Sequence, residues 1–323
     1  MAADRNLAAA AAADSLLRPW AHRARLGVEK ALRRAAGIVG YEFFRRHFDT
    51  PIPQVDALPE RLWTEPSELL GIDLRLPAAQ ALLANELAPY LPEFTPPRQP
   101  PPAGGGFWLE NGGYGPGDAE ILWAMLRHAK PRRLVELGSG ASSHVIAAAA
   151  HANAADGFPL EHRIFDPFPF GHPLGPVPTA TVDRSPAEDI ALATFAELEP
   201  HDVLFVDTTH TVKTGGDVTR LILDVLPRLA PGVLIHFHDI FLPCEYPREW
   251  VVDRRVAWAE QYLLQAFLSF NPEFQVILPL HALARDDPTL LGRLIASFEP
   301  SDRPGAFWIL RRAAAVGEGS GPP

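Results

Sequence analysis

The chain has 323 residues, with 29 Lys and Arg against 39 Asp and Glu, and its formal charge of −10 argues against nucleic acid as the substrate of the main domain. Its 47% hydrophobic content never runs uninterrupted for the roughly 18 residues of a membrane span, so no transmembrane segment is expected and the chain reads as cytoplasmic. A single cysteine, Cys244, leaves nothing for an internal disulfide and fits a reducing compartment, while the length alone suggests about two domains.

Residues 1–15 are expected to be disordered. Their alanine run is broken by Asp4 and Asp14 and lacks the cationic start of a signal peptide. From Arg18 to Arg46 eight basic residues face only Glu29 and Glu42, a net +6 that leaves −16 for the rest. Pro19 suits a helical first turn, and Ala21, Ala24, Val28, Ala31 and Ala35 recur at helical spacing between arginines. An accessory helix with a solvated basic face is expected, in preference to a membrane-surface or partner-binding helix. Residues 16–95 read as a helical cap or dimerisation segment, with the N-terminal helices as the route to a homodimer. A helix over Ala78–Tyr90, apolar at Leu82, Leu83 and Leu87, would cover a pocket. Residues 96–106 combine prolines and three glycines, a stiff spacer followed by a hinge.

The body, 107–312, alternates strands and helices, and residues 313–323 are expected to be a disordered tail. Leu134, Val135 and Leu137 read as a buried parallel strand that ends in the turn Gly138-Ser139-Gly140, with a helix over Ser142–Ala150. The two glycines allow a sharp turn and close approach to a ligand, beside the free N–H groups of a helix start. Ser143 stands where a dinucleotide fingerprint needs its third glycine, and Glu136 would repel a phosphate while suiting a cation. Further strands are expected at Arg163–Asp166, Ala180–Asp183, Asp202–Asp207, Gly232–Asp239, Phe274–Leu278 and Ala306–Leu310. Helices are expected at Asp189–Leu198, Gly216–Leu229 and Arg254–Phe270. The fold class is therefore α/β: a doubly wound, mostly parallel seven-stranded sheet with an N-terminal helical extension. Ligands bind at the carboxyl ends of such strands, so polar residues there are the site candidates.

Glu136-x-Gly138-x-Gly140 resembles the first motif of class I S-adenosylmethionine-dependent methyltransferases, whose ligand carries a sulfonium and an ammonium. The likeness to bacterial small-molecule members extends over about 107–311. It runs through Asn111-Gly-Gly-Tyr-Gly-Pro-Gly-Asp-Ala-Glu120, Phe205-Val-Asp-Thr-Thr-His210, Leu226–Gly232, Phe237-His-Asp-Ile-Phe-Leu-Pro243 and Trp258–Leu264. It implies S-adenosylmethionine as cofactor. Glu136, Gly138, Ser139, Gly140 and Ser142 would surround its amino-acid part, Asp166 its ribose and Asp189 its adenine. Asp189 reads equally well as a carboxylate at a helix N-terminus. The turn Tyr114–Asp118 is expected to be a flexible lid over the donor.

Methyl transfer is an in-line displacement in which the acceptor's proton must be removed. Asp207 and His210, three apart beyond a strand end, are the expected acid–base pair, with His210 as base and Lys213 orienting an anionic substrate. His238 joins them as a third catalytic candidate. Asp207, His210, His238 and Asp239 also form a ligand set for a divalent metal such as Mg, Mn or Fe. Strand alternation puts His236 and His238 on one face and Asp239 elsewhere. Trp258, Tyr262 and Gln265 read as core packing on one helical face, and Glu260 and Gln261 as residues bordering the acceptor pocket. The expected function is methyl transfer to an oxygen or nitrogen of a small-molecule acceptor, with or without a metal. A metal-dependent oxygenase or hydrolase on the same fold, and a non-catalytic scaffold, are the rivals.

Overall fold

The computed structural model describes residues 19–42, 44, 47–101, 106–169, 177 and 179–313. The expected disordered start (1–15), residues 102–105 of the spacer and 314–323 of the tail lie outside them. The chain divides into two compact units: the described part of Met1–Thr64 with Pro247–Ala257, and Glu65–Tyr246 with the described part of Trp258–Pro323.

The smaller unit holds a long helix α1 (Pro19–Ile38), a 3₁₀ turn at Val55–Ala57, and two short helices, α2 (Arg61–Thr64) and α8 (Arg248–Val252). Ala36, Val55 and Val251 are its buried apolar residues, and the Arg254 guanidinium lies over the Trp250 ring, 5.3 Å from its centroid. The basic stretch is helical as its spacing predicts. From Gly27 to Gly40 almost every residue of it is exposed, with Ala36 buried.

The larger unit is a seven-stranded sheet in the order β3-β2-β1-β4-β5-β7-β6. Its strands are β1 (Arg133–Leu137), β2 (Glu161–Phe165), β3 (Thr181–Asp183), β4 (Val203–Val206), β5 (Leu234–Phe237), β6 (Phe274–Pro279) and β7 (Phe307–Arg311). β1 to β5 are mutually parallel and β7 runs antiparallel to both neighbours. Alternate residues of each strand serve opposite faces. Leu134, Val203 and Phe205 pack with helices α4 (Asp118–Ala129) and α5 (Ala141–Ala155). Val135, Leu137, Leu204, Val206, Ile235 and Phe237 pack on the other side with the helical run through Leu221–Val225 and with α9 (Glu260–Leu268). β2 and β4 flank β1, so the chain's winding reverses there, and the crevice at the strands' carboxyl ends opens at that point.

Several helices differ from their periodicity. Helix α3 (Leu76–Ala81) continues as a π-helical turn over Leu82–Leu87, and Asp217–Arg220 (α7) likewise runs into a π turn at Leu221–Val225. Over the predicted Asp189–Leu198, a 3₁₀ turn at Ala187–Asp189 is followed by a short helix α6 (Leu192–Ala196). The predicted Arg254–Phe270 shortens to α9, because the N–H groups of Ala259 and Glu260 donate to the carbonyl of His210 instead of continuing a helix backward. Two further short helices, α10 (Leu280–Asp286) and α11 (Pro288–Leu294), follow β6. The proline spacer is tied down where it is described. The Leu109 and Glu110 N–H groups donate to Pro97 and Arg98, and Arg98 pairs with Glu110, Glu299 and Asp302.

Leu83, Leu87 and Leu91 are buried in the same core as Trp123, Leu126 and Leu134, so the segment after Leu76 is part of the sheet domain itself. Leu83→Ala is expected to lower the unfolding free energy by about 2–5 kcal/mol in urea titrations, as for a core leucine.

Candidate functional site

The glycine loop is shaped first by protein contacts. Gly138 has φ +81°, and a Cβ there would lie 1.8 Å from the carbonyl oxygen of Asp207. Any side chain would push the ends of β1 and β4 apart, since Asp207 N–H also bonds the Leu137 carbonyl at 3.0 Å. Glycine is required here for backbone against backbone. Gly140, by contrast, has extended backbone (φ −179°). Ser139 donates to Asp166 from its N–H (2.9 Å) and its hydroxyl, and the other Asp166 oxygen takes the Phe168 N–H at 2.7 Å. Asp166 at the end of β2 therefore holds the loop directly.

Glu136, expected to face a cationic ligand, turns inward. Leu134 and Glu136 share the face of β1 that packs against α5, and Glu136 has no exposed surface. Its Oε1 accepts from the hydroxyls of Ser142 (3.0 Å) and Ser143 (2.8 Å), and its Oε2 meets His162 Nε2 at 2.7 Å. The carboxylate pins the first turn of α5 under the loop, and Ser142 is likewise committed to it. Asp189 lies exposed in its 3₁₀ turn, outside α6, and Lys213 is exposed beyond β4.

The chemistry collects at the ends of β4 and β5. His210 is buried and held in left-handed backbone (φ +54°). Its Nδ1 meets Glu260 Oε2 at 2.7 Å, and its Nε2 lies 3.1 Å from Asp207 Oδ1 and 3.7 Å from Asp239 Oδ2. Trp258 covers the ring, with centroids 4.2 Å apart. Burial alone would lower the His210 pKa, but the bonds to Asp207 and Glu260 outweigh it and raise it well above the usual value.

His238 Nδ1 lies 3.5 Å from Asp207 Oδ2 and 3.7 Å from Asp239 Oδ1, and its Nε2 lies 3.4 Å from Asp118 Oδ2. Burial opposes its charge, yet Asp239 and Asp207 raise its pKa to about 10. Burial would raise Asp207, but His238 and His210 bring it down to about 2. Asp239 is raised, chiefly by burial. Alternation predicted that Asp239 would point away from His238. Left-handed backbone beyond the strand (φ +57°) brings it back beside its neighbour. His236 lies deeper, stacked on Phe205 at 4.3 Å and pushed well below its usual pKa by burial.

Asp207, His238 and Asp239 each offer a ligand atom within 4.8 Å of the others, and these three form the only such group among the described residues. The 3.5 and 3.7 Å separations are too long for hydrogen bonds. They approach the about 3.0–3.5 Å between neighbouring ligands of an ion with bonds near 2.1 Å. The donor set therefore fits a divalent cation. His210, expected as a fourth ligand, stands outside the three, its Nδ1 committed to Glu260.

Three residues exceed their expected roles. Glu260, read as a pocket border, is fully buried and orients His210. Tyr114 and Asp118, read as ends of a flexible lid, are both buried. Asn111 closes the turn before them, its Oδ1 taking the N–H groups of Gly113 and Tyr114, and the Tyr114 ring lies 4.6 Å from that of His238. Asp118 starts α4 and takes the backbone N–H groups of Gly305 and Ala306. The sequence signal for Glu260 was a carboxylate beside Trp258, for Asp118 a carboxylate next to a glycine turn, and neither spacing reveals the partner. Tyr262, expected in the core, is 47% exposed and donates to Glu245.

A family described as a methyltransferase domain matches residues 135–240, roughly a third of the chain. No curated protein gives a match. Among solved structures the chain is similar to the CmcI-N160 apo-structure, at 16% identity over 62% of this chain and 73% of that one, with a TM-score of 0.38. It is similar to the SAH-bound Podospora anserina methyltransferase PaMTH1, at 17% over 60% and 78%, TM-score 0.35. A third is the plantazolicin methyltransferase BpumL in complex with a triazolic desmethylPZN analog and SAH, at 9% over 59% and 86%, TM-score 0.32. At identities and scores this low these likenesses carry no argument about the chain.

Gly138→Ala is expected to cost at least about 2 kcal/mol of stability in urea titration, because left-handed strain and the Asp207 carbonyl both oppose a Cβ. Two groups of the cluster contribute to the pH dependence of the metal-free protein in opposite pH ranges. The folded pKa of His238, about 10, lies above its unfolded value near 6.5, so its contribution is complete below about pH 6.5 and lost as pH rises toward 10. The folded pKa of Asp207, about 2, lies below its unfolded value, so its contribution is complete above about pH 4 and lost as pH falls toward 2. Unfolding curves in chelator at stepped pH should show both declines, and His238→Gln should flatten the alkaline one.

Proposed function

We propose that this chain, a class I S-adenosylmethionine-dependent methyltransferase by its strand order and family match, transfers the methyl group to an oxygen or nitrogen of a small molecule held at the ends of β4 and β5. The observation that carries this reading is the direct contact between the two halves of the site. Gly138 of the donor loop lies against the backbone of Asp207, the first residue of the charged cluster. A donor on that loop therefore has its neighbouring reactive space lined by Asp207, His210 and His238, the proximity an in-line displacement needs.

In this reading Gly138, Ser139 and Gly140 lie along the amino-acid part of the donor, and Asp166 takes the ribose while bracing Ser139. Asp189 takes the adenine. Glu136 and Ser142 act through the loop they hold. His210 is the base: Glu260 holds its Nδ1, as the orienting acid of a catalytic triad does, and Nε2, 3.1 Å from Asp207 Oδ1, is the working nitrogen once it exchanges that carboxylate for the acceptor. Asp207, His238 and Asp239 hold a divalent cation of the Mg or Mn type, as their spacing supports. Such an ion supplies positive charge that favours both the deprotonated acceptor and the neutral form of His210. Asp207 and Asp239 then orient the acceptor against the methyl group.

Calorimetric titration should give micromolar affinity for S-adenosylmethionine and S-adenosylhomocysteine and none for NAD; the absence of both adenosyl compounds would end this reading. His210→Gln should reduce turnover by about 10²–10⁴-fold with donor affinity unchanged, the scale of a lost general base. A fully active variant would remove His210 from that role.

A further inference from the structure

We propose that Asp118 is a positioning residue that fixes the tautomer of His238, keeping the hydrogen on Nε2 and presenting the Nδ1 lone pair to a divalent cation. The inference rests on the metal-assisted reading above and adds a residue outside the ligand set.

Asp118 is 5% exposed, and its own position is determined by backbone. Oδ1 accepts from Ala306 N–H at 2.7 Å and Oδ2 from Gly305 N–H at 3.0 Å, across a sequence separation of nearly the whole domain. The same Oδ2 stands 3.4 Å from His238 Nε2, longer than an ordinary hydrogen bond, and this buried nitrogen has no hydrogen-bond partner among the described residues, so the carboxylate is the acceptor at hand for a hydrogen placed there. The segment that holds Asp118 also holds Asp239. Ile240 N–H bonds the Gly305 carbonyl at 3.0 Å, and a Cβ on Gly305 would lie 2.9 Å from Asp239 Cα. Tyr114 covers the imidazole on a further side, fixed in turn by Asn111. The ring is therefore confined between a carboxylate on its Nε2 side and the two ligand carboxylates on its Nδ1 side.

A neutral imidazole has one N–H and one lone pair, and the hydrogen bond made by one nitrogen decides which serves as ligand. On the Nδ1 side, Asp207 and Asp239 would themselves attract the proton and cost the ion a ligand. Asp118 is the acceptor that draws it to the other nitrogen. A carboxylate anchored by two backbone N–H groups cannot rotate away, so the preference is built into the junction of α4 and β7.

The test is Mn(II) titration of wild type and Asp118→Asn, with pulsed EPR to read nitrogen coupling from a ligated imidazole. The expected result is Mn(II) affinity weakened about 10–100-fold in D118N, the usual scale for such a partner, with diminished nitrogen coupling and unchanged S-adenosylmethionine affinity. Equal affinity and equal coupling in the two proteins would overturn the role of Asp118 and leave the metal assignment standing. No Mn(II) binding to wild type would overturn the metal assignment, and this inference with it. Should D118N fail to fold, ¹⁵N NMR of Mg-loaded wild type decides, with the His238 signals assigned by difference from His238→Gln. The Nε2–H tautomer supports the proposal and the Nδ1–H tautomer refutes it.

Discussion

Four carboxylates and two imidazoles are enclosed together at the carboxyl ends of β4 and β5, and much of the domain's construction serves to keep them there. Asp118, Asp207, Asp239 and Glu260 outnumber His210 and His238, so the cluster is negative even with both rings protonated. Burying such groups is costly unless each charge has a close partner, and removing one partner leaves its mate stranded. The pairing accounts for the directions of the shifts. Both histidines are held charged, Asp207 is held ionised, and Asp239 and Glu260, which have less cation to share, are pushed up by burial. A cation among Asp207, His238 and Asp239 would redress that imbalance, and these three groups offer ligand atoms close enough together to hold one.

Backbone irregularity is the means of assembly. His210 and Asp239 both adopt left-handed conformations that ordinary strand or helix continuation would forbid, at the carboxyl end of the sheet. Gly138 and Gly305 permit backbone segments to approach Asp207 and Asp239 more closely than any Cβ would allow. The carbonyl of His210 receives the first N–H groups of α9, while the side chain of Glu260 on that helix receives the His210 ring. Loop and helix thus fix one another. The strain of one residue is offset by two sets of hydrogen bonds that exist only when it adopts that conformation.

The glycine loop is built on the same plan from different groups. Glu136 is buried beneath the loop, drawing together β1, β2 and α5 through Ser142, Ser143 and His162. Asp166 grips the loop from the next strand. Gly138 lies against the Asp207 backbone, so the glycine loop and the charged cluster meet without an intervening layer.

The apolar runs around Leu134–Leu137, Val203–Val206 and Leu234–Phe237 determined the central strands, because burial on both faces demands continuous hydrophobic sequence. The glycine turn after β1 and the acids at the ends of β2, β4 and β5 were legible for the same reason: their place follows from the strand that precedes them. Helix limits were less so. π turns at Leu82–Leu87 and Leu221–Val225, and the shortened start of α9, answer to tertiary hydrogen bonds that periodicity does not encode. Only the folded chain decided that Glu136 faces inward, that Asp239 turns toward His238, and that Asp118 and Glu260, distant in sequence, are the partners of His238 and His210. The sequence by itself determined which groups stand at the strand ends. The tertiary structure decided which charges meet, because in a buried cluster each group's neighbours come from other elements of the fold.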